Sequence, residues 1–98
     1  MLTDMACRLD VWLYRARFYK TRSLAARAVS SGKIRITRHD KTERIKKPHG
    51  LIRSGEMLTF MRGAKLIQVK MIGPGTRRGP ASEARTLYEM IEGEDQPL

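Results

Sequence analysis

Residues 8–36 read RLDVWLYRARFYKTRSLAARAVSSGKIRI, and the order of apolar and basic residues in this stretch decides the fold. Apolar side chains recur at intervals of three and four, which predicts two short helices that each bury one face. The first helix is expected to end near residues 18–19. Thr21 is the expected N-cap of the second helix, with Ser23 as the less favoured alternative, and Gly32 follows where a left-handed residue commonly stops a helix.

After the second helix the pattern changes from helical to alternating. Residues 33–36 alternate charged and apolar side chains, which predicts a half-buried strand. The polar stretch 37–50 is interpreted as a long mobile connection with at most a short strand at 44–45. Two further strands are predicted at 57–61 and 66–72, separated by a hairpin-like break.

The last part of the chain is expected to form a helix. Pro80 suits the first turn of a helix, and four apolar residues recur behind it at helical spacing: Ala84, Leu87, Tyr88 and Ile91. The predicted fold class is therefore α+β, with two N-terminal helices packed on a small, mostly antiparallel sheet and a C-terminal helix. The 98 residues fit one domain, divided into a lead (1–7), the main module (8–72) and a segment with a loop, a helix and an acidic tail (73–98).

The charge of the chain points to a polyanionic partner. Its 20 Lys and Arg residues against 10 Asp and Glu residues give a net charge of +10, although residues 83–98 hold five acids and one arginine. Nucleic acid is the first expected partner and an anionic membrane surface the second. No apolar run approaches the length of a membrane span, and the N-terminus lacks the pattern of a secretory signal, so no membrane partner is expected. Cys7, the single cysteine, cannot form an internal disulfide, which fits an expected cytoplasmic location.

Lysine and arginine side chains recur on the helix faces that the core does not use. An RNA duplex hides its base edges in a deep, narrow groove, so proteins contact its phosphates and 2′-hydroxyl groups instead. Cations on rigid elements suit that task because each neutralised phosphate releases counterions. The amide groups at the start of the second helix add a positive dipole. The candidate RNA-binding residues are Arg8, Arg15, Tyr19, Lys20, Thr21, Arg22, Ser23, Arg27, Lys33, Arg35, Lys46 and Lys47.

Each candidate also has a structural interpretation. A solvated charged face is the alternative for any one cation, and packing within the turn explains Tyr19 at least as well as stacking on a base. Trp12 is predicted to lie in the core, and Asp10 to pair with Arg17 or to bond a neighbouring loop. Neither histidine has another ligand at metal-binding spacing, and the chain contains no recognisable catalytic set of side chains. No metal, no cofactor and no enzymatic activity are therefore expected.

The same stretch carries a resemblance to a known RNA-binding module. The pattern Arg-Leu-Asp-x-x-Leu occupies residues 8–13, a Thr-Arg pair opens the second helix at 21–22, and Gly-x-Ile-x-Ile follows at 32–36. The pattern is completed by Lys47-Pro48 and by Gly55-Glu56-Met57-Leu58. The chain thus resembles the S4 RNA-binding domain, the αL module named after a small-subunit ribosomal protein. The resemblance implies the αL fold and RNA binding.

Two further stretches narrow the resemblance. Residues 16–22, ARFYKTR, and residues 78–89, RGPASEARTLYE, make the chain similar to the ribosome-associated heat shock protein 15 family over residues 8–89. That likeness implies a heat-shock-linked protein of the large ribosomal subunit, notably of free subunits that still hold a nascent chain on tRNA. Its implied partners are ribosomal RNA and peptidyl-tRNA. The chain departs from the family in its acidic tail and at residues 37–40, TRHD, where a longer loop is expected instead of an Asn-Gly turn.

Three classes of function remain. The favoured class is a free-standing, monomeric RNA-binding factor of the translation machinery. The S4 domain is also appended to pseudouridine synthases and tyrosyl-tRNA synthetases, but their chemistry lies in separate, larger domains, so catalysis is not expected here. The alternative is a general basic nucleic-acid binder or a ribosomal RNA assembly factor without a role in ribosome rescue. DNA binding is expected to be weaker than RNA binding.

Overall fold

Residues 8–36 form two short helices followed by a strand, as the spacing of their apolar residues predicts. The computed structural model describes residues 6–93. The helices are α1 (Leu9–Arg15), α2 (Arg22–Ser30) and the single turn α3 (Ala81–Ala84), which continues as a 3-10 turn (Arg85–Leu87). The strands are β1 (Ala6–Arg8), β2 (Ile34–Arg38), β3 (Lys41–Ile45), β4 (Leu51–Arg53), β5 (Met57–Arg62), β6 (Lys65–Met71) and β7 (Tyr88–Glu92).

Five of the strands form one antiparallel sheet. Their order across the sheet is β3, β2, β5, β6 and β7, and each neighbouring pair is antiparallel. Strand β1 pairs with β4 in a separate two-stranded ladder. The predicted α+β fold is therefore confirmed. No helix within residues 6–93 has the length and apolar character needed to cross a membrane.

The core joins the two long helices to one face of the sheet. Trp12 and Leu13 of α1 are fully buried. Alternate residues of the three central strands complete the same cluster: Ile34, Ile36, Leu58, Phe60, Ile67, Val69 and Met71. Residues between them, such as Arg35, Thr59 and Gln68, are in register across the sheet. Because side chains alternate along a strand, these three lie on the face away from the core.

Helix α1 ends at Arg15, one turn earlier than predicted. The φ of Arg17 is 66°, and the N–H groups of Arg17 and Phe18 donate to the carbonyls of Tyr14 and Leu13 at 3.1 and 3.0 Å. These two bonds form a Schellman motif, which closes the helix. Phe18 is only 2% exposed as a result. Its burial offsets the cost of a left-handed arginine, about 1–2 kcal/mol.

The predicted long mobile connection at 37–50 is wrong. Strand β2 continues to Arg38 and β3 begins at Lys41, so that His39 and Asp40 alone form the turn, with φ values of 49° and 65°. Two consecutive positive φ values match the twist of a tight hairpin, and Asp and His adopt them more readily than most residues. His39 and Asp40 thus make a tight turn where the departure from Asn-Gly led us to expect a longer loop.

The second half of the same stretch is held against the start of α1. The carbonyls of Gly50 and Pro48 accept the N–H groups of Leu9 and Asp10 at 2.8 and 3.1 Å. The first amide groups of a helix have no partner within the helix, so this turn satisfies two of them. It also brings Lys47, whose carbonyl accepts the Gly50 N–H at 2.9 Å, beside the beginning of α1.

The expected C-terminal helix forms for one turn only. The prediction that it continues as a helix to Ile91 is wrong, because residues 88–92 form strand β7. Tyr88 is buried, Glu89 is exposed and Met90 is half-buried, an alternation typical of a strand. The N–H groups of Ile72 and Gly73 both donate to the Leu87 carbonyl, which lies where the chain leaves the helical path. Pairing of β7 with β6 satisfies the backbone that a longer helix would have satisfied internally.

We expect Gly32→Ala to lower the free energy of unfolding by about 1 kcal/mol, because the φ of Gly32 is 75° and an L side chain is strained there. Gly32→Asn should cost less, since asparagine tolerates this conformation. Urea denaturation followed by circular dichroism measures both. Equal stability of the alanine variant and the parent would show that the helix stop does not depend on glycine.

Candidate nucleic-acid interface

The turn between α1 and α2 places its cations on a well-fixed helix start. Thr21 is the N-cap, as predicted: its backbone is extended and its hydroxyl accepts the N–H of Leu24 at 3.1 Å. Ser23 is exposed and does not serve as the cap. The first turn of α2 contains no acidic residue, so its positive dipole is not neutralised from within the helix.

A hollow of about 380 Å³ opens between this turn, α2 and the β5–β6 hairpin. We call it the aromatic hollow; it is lined by Phe18, Tyr19, Lys20, Leu24, Arg27, Ala28, Lys33, Phe60, Met61, Arg62 and Gly63. Four of these residues are cationic and none is acidic. The Tyr19 ring lies 6.2 Å from the Phe60 ring, and burial raises the pKa of the Tyr19 hydroxyl against the opposing effect of Arg62. Tyr19 is therefore a neutral, half-buried ring among cations.

A second hollow continues the cationic surface across the sheet. Its lining includes Lys33, Arg35 and Arg44, and none of its lining residues is acidic. Arg35 and Arg44 are directly opposite each other on β2 and β3. Like charges at opposite positions destabilise a sheet unless an anion lies between them. This pair therefore favours an anionic ligand at the hollow.

The side chains of Arg44 on β3 and of Lys46 just after it extend the surface towards α2. A Cβ added at Gly32 would lie 3.0 Å from Cδ of Arg44 and 3.4 Å from Cε of Lys46, so both side chains lie over the end of that helix. We define the basic face as the six exposed cations around the two hollows: Lys20, Arg27, Lys33, Arg35, Arg44 and Lys46. Five of the six were predicted from the sequence. Arg44 was missed because the hairpin that positions it was interpreted as a loop.

Arg8 and Asp10 form a bidentate ion pair at the start of α1. Arg8 Nε and Nη2 lie 3.1 and 2.8 Å from the two Asp10 carboxylate oxygens, and Asp10 also accepts the Val11 N–H at 2.8 Å. The hydrogen bond to Asp10 raises the pKa of Arg8. Asp10 is buried whereas the Arg8 side chain is 49% exposed. The prediction that Asp10 pairs with Arg17 is therefore wrong, because Arg8 is its partner.

Two other predicted cations lie on a different side of the helices. Arg15 Nη1 donates to the carbonyls of Pro74 and Gly75 at 3.3 and 3.0 Å, so it holds the loop after β6. Burial raises the pKa of the Cys7 thiol, and the nearby charges of Arg15 and Arg22 both oppose that rise, so Arg22 lies on the Cys7 side of the helices with Arg15. The twelve predicted residues thus do not form one surface, and their contacts with RNA stay a prediction.

Comparisons with known proteins agree with this architecture. Residues 7–36 match the S4 domain family. The chain is 36% identical over 91 residues to the heat shock protein 15 homolog of Haemophilus influenzae, which covers 93% of this chain and 66% of that protein. It is 42% identical over 84 residues to heat shock protein 15 of Escherichia coli, which covers 84% of this chain and 58% of that protein. A solved structure, described as trimeric heat shock protein 15 of Vibrio cholerae, has a TM-score of 0.75 and 34% identity over 87% of this chain and 81% of its own.

The chain belongs to the heat shock protein 15 family. It spans 58–66% of the length of the two curated relatives named above. Its S4 domain indicates RNA binding. The matched segment ends at residue 36, so Arg44 and Lys46 of the basic face lie beyond it.

The Cys7 thiol is expected to react slowly with thiol reagents. Burial raises its pKa, Arg15 opposes that effect, and Asp10 adds to it. A raised pKa lowers the fraction of reactive thiolate at any pH below it. We therefore expect the folded protein to react with a thiol reagent at pH 8 more slowly than the same chain in urea. Equal rates in the two states would contradict the burial of this thiol.

Proposed function

We propose that this member of the heat shock protein 15 family binds structured ribosomal RNA through the basic face and carries out no catalysis. The observation that carries the proposal is the presence of six exposed cations around two hollows whose linings contain no acid. Each phosphate that these cations neutralise releases counterions, which favours binding. Opposite arginines at positions 35 and 44 further favour a bound anion.

The particle that we propose as the partner is the large ribosomal subunit, in the cytoplasm. Support comes from the likeness to the ribosome-associated heat shock protein 15 family. The proposed role is recycling of subunits that still hold a nascent chain on tRNA, and it includes contact with peptidyl-tRNA. In this role the basic face would contact ribosomal RNA.

Co-sedimentation tests this proposal directly. Purified protein is spun through sucrose with small subunits, large subunits or whole ribosomes at moderate salt, with and without a blocked nascent chain. We expect selective sedimentation with large subunits, and more of it when the nascent chain is present. Equal sedimentation with every particle, removed by modest salt, would contradict the ribosomal role.

The second candidate is a general nucleic-acid binder, which the net charge of +10 favours. Non-specific binding falls steeply with salt and hardly distinguishes DNA from RNA. A competition series with duplex DNA and structured RNA at several salt concentrations separates the two candidates. We expect the preference for RNA to persist as the salt concentration rises.

The oligomeric state needs a direct measurement. The sequence predicts a monomer, whereas the V. cholerae relative is described as trimeric. Light scattering after size-exclusion chromatography gives the mass of the particle directly. A monomer has a mass of 11.2 kDa, and a trimer has three times that mass. The measurement belongs before any binding study, because the stoichiometry of the RNA complex depends on it.

A further inference from the structure

The aromatic hollow combines two chemistries that a phosphate-binding surface alone does not need. Its rim carries Lys20, Arg27 and Lys33, which are all exposed. Its walls are apolar, and two of their large side chains remain exposed: Leu24 at 43% and Met61 at 54%. Exposed apolar side chains between cations suit a ligand that is flat and apolar in one part and anionic in another.

Buried aromatic rings fix the position of Tyr19 in the hollow. Phe18 and Phe60 are buried with an edge-to-face ring contact at 5.3 Å, and Tyr19 packs beside Phe60. The position of the Tyr19 ring is therefore fixed by its packing on Phe60. Small residues, Ala28 and Gly63, leave room beside it, and a Cβ added at Gly63 would have no heavy atom within 4 Å.

The size of the hollow limits the ligand. A volume of about 380 Å³ lies at the lower end of the range of about 300–1,000 Å³ seen for small-molecule pockets. Paired bases in an RNA helix are stacked inside the duplex and cannot enter such a space. A base that is unpaired can leave the stack and pack against an aromatic side chain.

We propose that the aromatic hollow holds one unpaired nucleotide of a structured RNA. Its base lies against Tyr19 and Leu24, with Met61 at the edge of the hollow, and the flanking phosphates lie against Lys20, Arg27 and Lys33. The inference rests on the proposed function, because it assigns to the basic face a preference for a helix interrupted by a bulge. The charge of the rim matches phosphate, and the neutral Tyr19 ring suits any base.

The test compares two RNA hairpins with the same stem, one fully paired and one with a single bulged adenosine. Affinity is measured by fluorescence polarisation at one salt concentration, with a DNA duplex as competitor. Because base–aromatic stacking contributes to affinity, we expect the parent protein to prefer the bulged hairpin by about tenfold. Leu24→Glu and Met61→Glu, on two different elements, should each reduce that preference to less than about twofold because each adds a negative charge to the lining of the hollow, where it repels the flanking phosphates.

The variants are chosen to keep the fold. Leu24 is exposed in the first turn of α2, where a carboxylate is favourable to the helix dipole. Met61 is exposed on β5. Ser30→Glu is the matched control, since it changes the charge by the same amount on an exposed position of α2 outside the lining of the hollow. It should retain the tenfold preference.

The outcomes separate the inference from the function on which it rests. Equal binding of both hairpins by the parent, with RNA still preferred over DNA, would overturn the inference and leave the proposed function standing. A preference for the bulge that survives both carboxylate variants would also overturn it, because the base would then bind elsewhere. If neither hairpin binds better than the DNA duplex, the proposed function itself is contradicted.

Discussion

Reversing the charges of Arg27 and Lys33 together, as Arg27→Glu and Lys33→Glu, is expected to weaken binding to structured RNA by at least about tenfold. Both side chains are exposed, Arg27 on α2 and Lys33 just after it, and both line the aromatic hollow. Each carboxylate would replace an attraction to phosphate by a repulsion. The dependence of affinity on salt should also become shallower by about two in a plot of log K against log salt concentration.

A charge-matched comparison separates a local effect from the loss of net charge. Arg77→Glu with Arg85→Glu produces the same change in charge on the segment after β6, away from the lining of both hollows. We expect this variant to lose much less affinity and to keep a steeper salt dependence. Equal losses in the two double variants would show that the protein binds RNA through net charge and has no preferred face. Circular dichroism on all variants confirms that the fold is retained.

The basic face could be predicted in part because some of its cations lie on or beside a helix that neighbouring residues in the sequence define. The N-cap at Thr21 and the stop at Gly32 define α2, so that Arg27 and Lys33 can be placed on or beside it from the sequence. Tyr19 was left with two interpretations: the structure shows its packing, and its stacking on a base stays a prediction. Its ring packs against Phe60, yet it also lines the hollow.

The errors arose where long-range pairing outweighs local pattern. Residues 41–45 contain one apolar residue, so their sequence shows no strand, and pairing with β2 is what makes them one. His39 and Asp40 have positive φ values although neither is glycine, so the turn lacks the residue that usually identifies a tight hairpin in a sequence. Residues 88–92 fit a helical spacing equally well, and only the presence of β6 beside them selects a strand.

Arg15 shows why charge alone does not identify a binding residue. On a helix with one apolar face, an exposed cation and a cation bound to a distant loop occupy the same kind of position in the sequence. The carbonyls of Pro74 and Gly75 lie about sixty positions away along the chain, beyond the range of any helical pattern. The structure therefore gives Arg15 a structural task that the sequence does not reveal, and its contact with RNA stays a prediction.

Trp12→Ala is expected to lower the free energy of unfolding by about 3–5 kcal/mol, a large part of the stability of a domain this size. Trp12 is fully buried, and its Nε1–H donates to the Gly73 carbonyl at 2.8 Å. The alanine variant would lose the packing and the hydrogen bond together. Trp12→Phe keeps an aromatic ring and loses the bond, so it should cost less. Urea denaturation of both variants measures the difference, and equal costs would show that packing of the ring contributes little.

Combining Trp12→Phe with Arg15→Met tests whether the loop at 73–75 is held as one unit. Trp12 donates to Gly73, and Arg15 donates to Pro74 and Gly75, so that both side chains fix adjacent carbonyls. Once one anchor is lost the other holds a looser loop, so the double variant should be more stable than the sum of the single losses implies, by about 0.5 kcal/mol or more. Additive losses would mean that the bonds from Ile72 and Gly73 to Leu87 fix the loop by themselves.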